Sequence, residues 1–163
     1  MILWENFDQN EIYTIVLLVV LYGAFFTFKK VLSTEITILF LVWGFAISTL
    51  FDFTIGGGML SYYRVNDSNQ YELTDLLSYF VFAQVSYFFV YFYKRFKIDR
   101  KRFIPYLAGW TVVGIIMEFI ATNMKVTNYQ NNYSWENSII VFLVVITLTA
   151  LYYELVKWSV EKR

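Results

Sequence analysis

Apolar residues run along this chain in long unbroken blocks, and polar residues fall in the intervals between them. Five blocks stand out, at residues 12–28, 36–55, 73–93, 103–122 and 138–156. Each is close to the roughly 20 residues that carry a helix across about 30 Å of hydrocarbon. None alternates apolar and polar positions as a barrel strand must, so the spans read as helices. The pattern predicts an all-α, polytopic membrane protein: one domain built as a bundle of about five transmembrane helices.

Composition sharpens this picture. Of the 163 residues, 58% are hydrophobic, 22% aromatic and 16% charged, against about 25% charged in soluble domains. A chain this short has too much surface for its volume to hide so much apolar area in water. The lipid bilayer is therefore the first partner the sequence implies.

Lys and Arg set the expected orientation. The turn after the first block carries Lys29 and Lys30, and the third-to-fourth connection carries Lys94, Arg95, Lys97, Arg100, Lys101 and Arg102. The tail adds Lys157, Lys162 and Arg163, whereas the opposite side has only Arg64 and Lys125. The N-terminus is thus expected outside a cell membrane and the C-terminus in the cytoplasm. The head carries Glu5, Asp8 and Glu11 but no Lys or Arg, so it lacks the basic region of a cleavable signal, and the first helix is expected to stay as an anchor. Trp4, Tyr13, Tyr71, Tyr129 and Trp135 would form the outer interfacial belt. Tyr91, Tyr93, Tyr106, Tyr152, Tyr153 and Trp158 would form the inner one.

Charge and missing residue types exclude several functions. A net charge of zero offers no basic excess for a nucleic-acid backbone. Cys and His are absent. That removes the usual zinc sites, His-ligated haem, iron–sulfur clusters and Ser-His or Cys-His triads, and no cofactor is expected. Any acid–base chemistry falls to Asp, Glu, Tyr, Lys or Arg.

The outer connections are the longest, about 17 residues after the second block and about 15 after the fourth, and they are rich in Gly, Asn and Tyr. Gly56-Gly57-Gly58 suits a hinge or a close-packed loop. It is no phosphate loop, since no Gly-Lys-Ser/Thr follows.

Carboxyls inside a membrane are costly, roughly 2.5–3.5 kcal/mol at mid-helix, and by default point to function. Glu118 shares a helical face with Trp110, Gly114 and Ala121, a stripe expected to face other helices. It is either a satisfied structural carboxyl or a site. Asp52 ends a stripe with Gly44 and Ser48. An anion at a helix C-terminus needs a cation or donor, for which Arg64 is the candidate. Asp75 opens the third helix, with Ser78, Tyr79 and Phe82 on its face. Capping is its first reading and ligand binding its second. All three carboxyls are expected at one level of the outer membrane half, where neighbouring acids bind a cation or shift one another's titration. The candidate ligand-binding set is Asp52, Asp75, Glu118, Arg64, Tyr79, Tyr129 and Trp135, with a cation as one occupant of the three carboxyls.

Weaker marks remain. Asp67-Ser68-Asn69 with Glu72 and Asp75 is rich in oxygen ligands, but lacks the Gly and Glu positions of a calcium-binding hand. Glu154 and Lys157 form an i, i+3 pair. Gln84 and Ser86 suit interhelical hydrogen bonds. The basic loop suits anionic headgroups as well as topology.

Tyr71-Glu72-Leu73-Thr74-Asp75-Leu76-Leu77, Tyr91-Phe92-Tyr93 and Met117-Glu118-Phe119-Ile120-Ala121, followed by Tyr129 and Trp135, resemble an uncharacterised family of small multi-spanning membrane proteins from endospore-forming bacteria. The likeness covers most of the chain after Thr49. The family pattern often has Trp where this chain has Phe119, and Gly where it has Lys125. The resemblance implies a membrane protein and no known activity. A fainter similarity, to lycopene-cyclase-type membrane domains, rests on an intramembrane glutamate followed by an aromatic-rich loop.

Three functions stand at this point. The first is a sensor, carrier or accessory subunit with an outward-facing acidic and aromatic pocket for a cation, polar solute or lipid headgroup. The second is an enzyme acting on a lipid or isoprenoid with Glu118 as general acid. The third is a structural subunit that assembles with itself or with another membrane protein.

Overall fold

The structure is a computed structural model that describes residues 3, 6–57, 59–66 and 71–161. Trp4, Glu5, Gly58, the oxygen-rich run Asp67-Ser68-Asn69, and the tail cations Lys162 and Arg163 lie outside the described residues.

Five helices follow one another: α1 (Gln9–Thr27), α2 (Thr34–Thr54), α3 (Leu73–Arg95), α4 (Arg100–Asn123) and α5 (Trp135–Glu161). All five are long and apolar enough to cross a membrane. Two short strands, β1 (Tyr63–Val65) and β2 (Thr127–Tyr129), fall in the long connections. The helices extend past most of the apolar blocks because polar residues begin them. Asp8 caps α1 by accepting from the Asn10 amide at 3.3 Å, and Glu11 returns to the Asp8 amide at 2.8 Å, a reciprocal capping box. Ser33 accepts from the Ile36 amide ahead of α2. Asp99 accepts from the amides of Lys101 and Arg102 at 3.1 and 3.0 Å. This last cap offsets a conflict, since Arg100, Lys101 and Arg102 put positive charge at a helix N-terminus, where the dipole disfavours it.

α3 is the central helix. Of its apolar window 61% is buried, against 11–17% for the other four. It packs along α2 and α1, while α4 pairs with α5. The α2–α3 contact is close because Gly44 has no side chain. A Cβ there would lie 2.5 Å from the Phe82 carbonyl oxygen and 2.6 Å from Ser86 Cβ. On the other side of the bundle, a Cβ on Gly114 would meet the Phe142 ring of α5 at 3.0 Å.

The two ends of the bundle differ. One collects Lys29, Lys30, the cations of the α3–α4 turn and Lys157, and is here termed the basic end. There aromatic rings join the two helix groups. Trp43 of α2 donates to Thr149 Oγ1 of α5 at 3.0 Å and stacks on Tyr152 at 4.5 Å. Tyr93 of α3 meets Tyr153 edge-on at 5.4 Å, and the Tyr106 hydroxyl of α4 donates to the Phe89 carbonyl at 2.5 Å. This corrects the expected inner belt: Tyr91, Tyr93 and Tyr153 are buried core residues, since their rings fill the space between helices. Trp158, by contrast, is exposed as an interfacial ring should be.

At the other end, the sheet end, β1 and β2 pair antiparallel with Tyr63 opposite Tyr129, Arg64 opposite Asn128 and Val65 opposite Thr127. The pairing continues from the Asn66 amide to the Val126 carbonyl and from the Gln130 amide to the Tyr62 carbonyl, each at 2.8 Å. Asn66 and Lys125 adopt positive φ, 57° and 59°. Asn tolerates that region; for Lys it is a departure.

Gly44→Ala should lower stability by about 1–3 kcal/mol through overpacking. Gly23→Ala, where a Cβ meets nothing within 4 Å, should be neutral or gain up to about 1 kcal/mol from helix propensity. Thermal unfolding of both variants in one detergent checks the pair.

Candidate functional site

A cavity of about 250 Å³ lies between α3 and the α4–α5 pair, reached also by α1, α2 and the sheet. Its walls are mostly apolar: Ile47, Val81, Val85, Phe89, Val113, Met117, Val141 and Val145 among them. The two stripes read from sequence both line it, Gly44-Ser48-Asp52 from α2 and Trp110-Gly114-Glu118-Ala121 from α4. Eight residues separate Gly44 from Asp52 and Trp110 from Glu118, about 12 Å along each helix at 1.5 Å per residue. The carboxyls therefore stand at the sheet end of a long apolar cleft.

Each carboxyl is held by hydroxyls. Asp52 Oδ2 accepts from the Tyr79 hydroxyl at 2.5 Å. Glu118 Oε1 accepts from the Tyr129 hydroxyl at 2.9 Å and from Ser138 at 2.5 Å, and Ser138 in turn shares a 3.0 Å hydrogen bond with Tyr133. Glu118 Oε2 is buried and has no hydrogen-bond partner among the described residues. Gly56 makes room for this arrangement: a Cβ there would come within 2.6 Å of Asp52 Oδ1 and 2.9 Å of the Tyr63 ring.

The phenols of the sheet lie in the field of these acids. Burial first, then Asp52, Tyr133 and Glu118, pushes the Tyr63 hydroxyl up from its ordinary titration range. One side chain thus senses both carboxyls. Tyr129 is pushed up to about 12, chiefly by burial, with the Glu118 hydrogen bond adding to it against a lowering contact from Thr122. Both phenols stay protonated across the physiological range, and Tyr129 donates to Glu118.

Of the expected set, Asp52, Tyr79 and Glu118 meet at this cavity, and Tyr129 reaches it through Glu118. Asp75 does not. It accepts from the Glu72 amide at 2.7 Å and from Asn66 Nδ2 at 2.6 Å, and Asn66 Oδ1 accepts from Asn10 at 3.3 Å. Asp75 is a helix-start and interloop tie and does not line this cavity. Among the described residues no group of three such side chains is placed to hold a metal ion. Among the described residues the donor to Asp52 is the Tyr79 phenol, and Arg64 lies in β1 opposite Asn128. Trp135 begins α5, half exposed and off the cavity wall. Gln84 is fully buried, yet neither amide atom has a partner among the described residues, so the expected interhelical hydrogen bond is not made. Glu154 and Lys157 do pair, at 3.7 Å.

Sequence reasoning missed Tyr63, Tyr133 and Ser138. Ser138 carried a signal: it is a polar residue at the start of the fifth block, at the same level as Glu118.

No protein-family model, curated protein or solved structure matches this chain.

Asp75→Ala should cost about 1–3 kcal/mol of stability by stranding buried donors, and should leave any ligand binding in the cavity unchanged. Thermal unfolding read beside a binding isotherm separates the two effects; a variant of normal stability that no longer binds would overturn the structural role.

Proposed function

We propose that this is a multi-pass cell-membrane protein, basic end in the cytoplasm, whose cavity receives an amphipathic molecule. The apolar body lies between α3, α4 and α5, and a hydroxyl or amino end donates to Asp52 and Glu118. One observation carries this: two carboxyls open into a single cavity at one end, while the walls away from them are apolar. A small polar solute would leave those walls without a partner. An amine or hydroxyl on an apolar tail satisfies both regions, and small-molecule sites combine an apolar lining with a few placed polar groups. The orientation is supported by the Lys and Arg distribution, eleven of 13 falling on one side. The role is that of a receptor or carrier for such a molecule.

Trp110 lines the cavity and can report on it. A brominated long-chain alkylamine should quench Trp110 fluorescence saturably, and Trp110→Phe should remove that component. Asp52→Asn and Glu118→Gln should each weaken binding at least tenfold, about 1.4 kcal/mol. Equal affinity in both variants would sink the proposal.

A second reading, an enzyme acting on a lipid or isoprenoid, is favoured by one feature. Glu118 is fixed through Oε1 while Oε2 is left without a partner among the described residues. A carboxyl so held can pass a proton to a substrate as a general acid, with the neighbouring tyrosine faces stabilising a developing cation. Lipid extracts from cells with the wild-type chain should then contain a product that Glu118→Gln cells lack. Identical profiles would leave binding as the function.

A further inference from the structure

A second cavity, of about 390 Å³, opens at the basic end between the start of α2, the end of α3 and the end of α5. Lys94, Lys97 and Lys157 line it, from two helices and a turn that are distant in sequence. Its floor is the buried pair Tyr93 and Tyr153, in edge contact with each other. The rest of the wall is apolar, from Ile36, Ile98 and Val160. Cations at the mouth above an aliphatic wall match a lipid with a charged head and apolar chains.

Three further observations point to the same ligand. Glu154 offsets Lys157 at 3.7 Å, but Lys94 and Lys97 are in no ion pair among the described residues, so the pocket keeps positive charge. Lys97 holds φ at 50°, where its amide bonds back to Lys94 and lets the Ile98 amide reach the Tyr93 carbonyl at 3.1 Å. Glycine would hold that turn with less strain, and the lysine adds a cation to the pocket instead. Trp158, exposed beside Lys157, marks the depth at which amphipathic rings meet headgroups. Lipid phosphates lie at that depth.

We propose that this pocket binds the phosphate of an anionic glycerophospholipid through Lys94, Lys97 and Lys157, with the upper acyl chain against Ile36, Ile98 and Val160. Basic pockets between membrane helices capture such headgroups. The proposal rests on the membrane reading but not on the ligand of the Asp52–Glu118 cavity, and its test touches neither carboxyl.

The test is lipid retention by native mass spectrometry, with phosphatidylglycerol, phosphatidylcholine and diacylglycerol offered in turn to the protein in neutral detergent. Wild type should retain one phosphatidylglycerol at least tenfold more tightly than either other lipid. The combined Lys94→Gln, Lys97→Gln, Lys157→Gln variant should lose that preference. An equal charge change outside the pocket, Arg100→Gln with Lys101→Gln and Arg102→Gln, should keep it. Lys97→Gly, which suits the turn, should fold as wild type and weaken retention at least threefold, so a triple variant that fails to fold does not remove the test. No preference for phosphatidylglycerol, equal loss in both triple variants, or unchanged retention in Lys97→Gly would each overturn the proposal. Displacement of the lipid by millimolar inorganic phosphate would overturn it in favour of a free-anion site.

Discussion

Hydrocarbon offers no hydrogen-bond partner, so a polar group inside the membrane must find its partner within the protein. Seven Ser and Thr hydroxyls here satisfy themselves locally. Thr27, Ser48, Thr49, Thr54, Ser78, Thr111 and Thr149 each donate to a carbonyl three or four residues earlier in their own helix. Such residues place no demand on tertiary structure. A carboxylate cannot do this, because it has no proton to give to a backbone carbonyl. Asp52 and Glu118 must therefore be met by donors from elsewhere, and the sheet end is organised around doing so. Tyr79 comes to Asp52 from α3, while Tyr129 and Ser138 come to Glu118 from β2 and α5.

This demand accounts for the asymmetry of the bundle. At the basic end, stacked and edge-on aromatic rings bring α4 and α5 against α2 and α3. At the sheet end the carboxyl–hydroxyl pairs lie within each group, Asp52 with Tyr79 between α2 and α3 and Glu118 with Ser138 between α4 and α5. The cavity lies between the two groups. The strand pair closes over it because Tyr63 and Tyr129, opposite each other in register, both turn toward the acids.

Much of this was legible in the sequence, for identifiable reasons. Helix number and approximate bounds followed from block length, since the bilayer fixes how long a span must be. The faces of α2 and α4 that line the cavity followed from helical spacing, because Gly44, Ser48 and Asp52, like Trp110, Gly114, Glu118 and Ala121, fall on single stripes. Asp75 was ambiguous because a first-turn acid satisfies a helix whether or not it also binds a ligand; only its hydrogen bonds to Glu72 and Asn66 decide between them. The strands were not legible. Each is three residues long, and what fixes them is pairing between segments more than sixty residues apart. Tyr91, Tyr93 and Tyr153 were misplaced for a related cause: a tyrosine near a helix end suits an interface or a core equally, and helix packing makes the choice.

The glycines show how the site and the fold are coupled. Gly44 lets α2 approach α3 until backbone meets backbone, which puts Asp52, two turns further along α2, within reach of Tyr79. Gly56 then turns the chain back over Asp52 so tightly that any side chain would strike its carboxyl or the Tyr63 ring. The same turn delivers Tyr63 to a position where it senses Asp52 and Glu118 together. Remove either close approach, and the acids lose their shared neighbour even though neither has been altered. The ligand site is thus specified as much by residues without side chains as by the carboxyls.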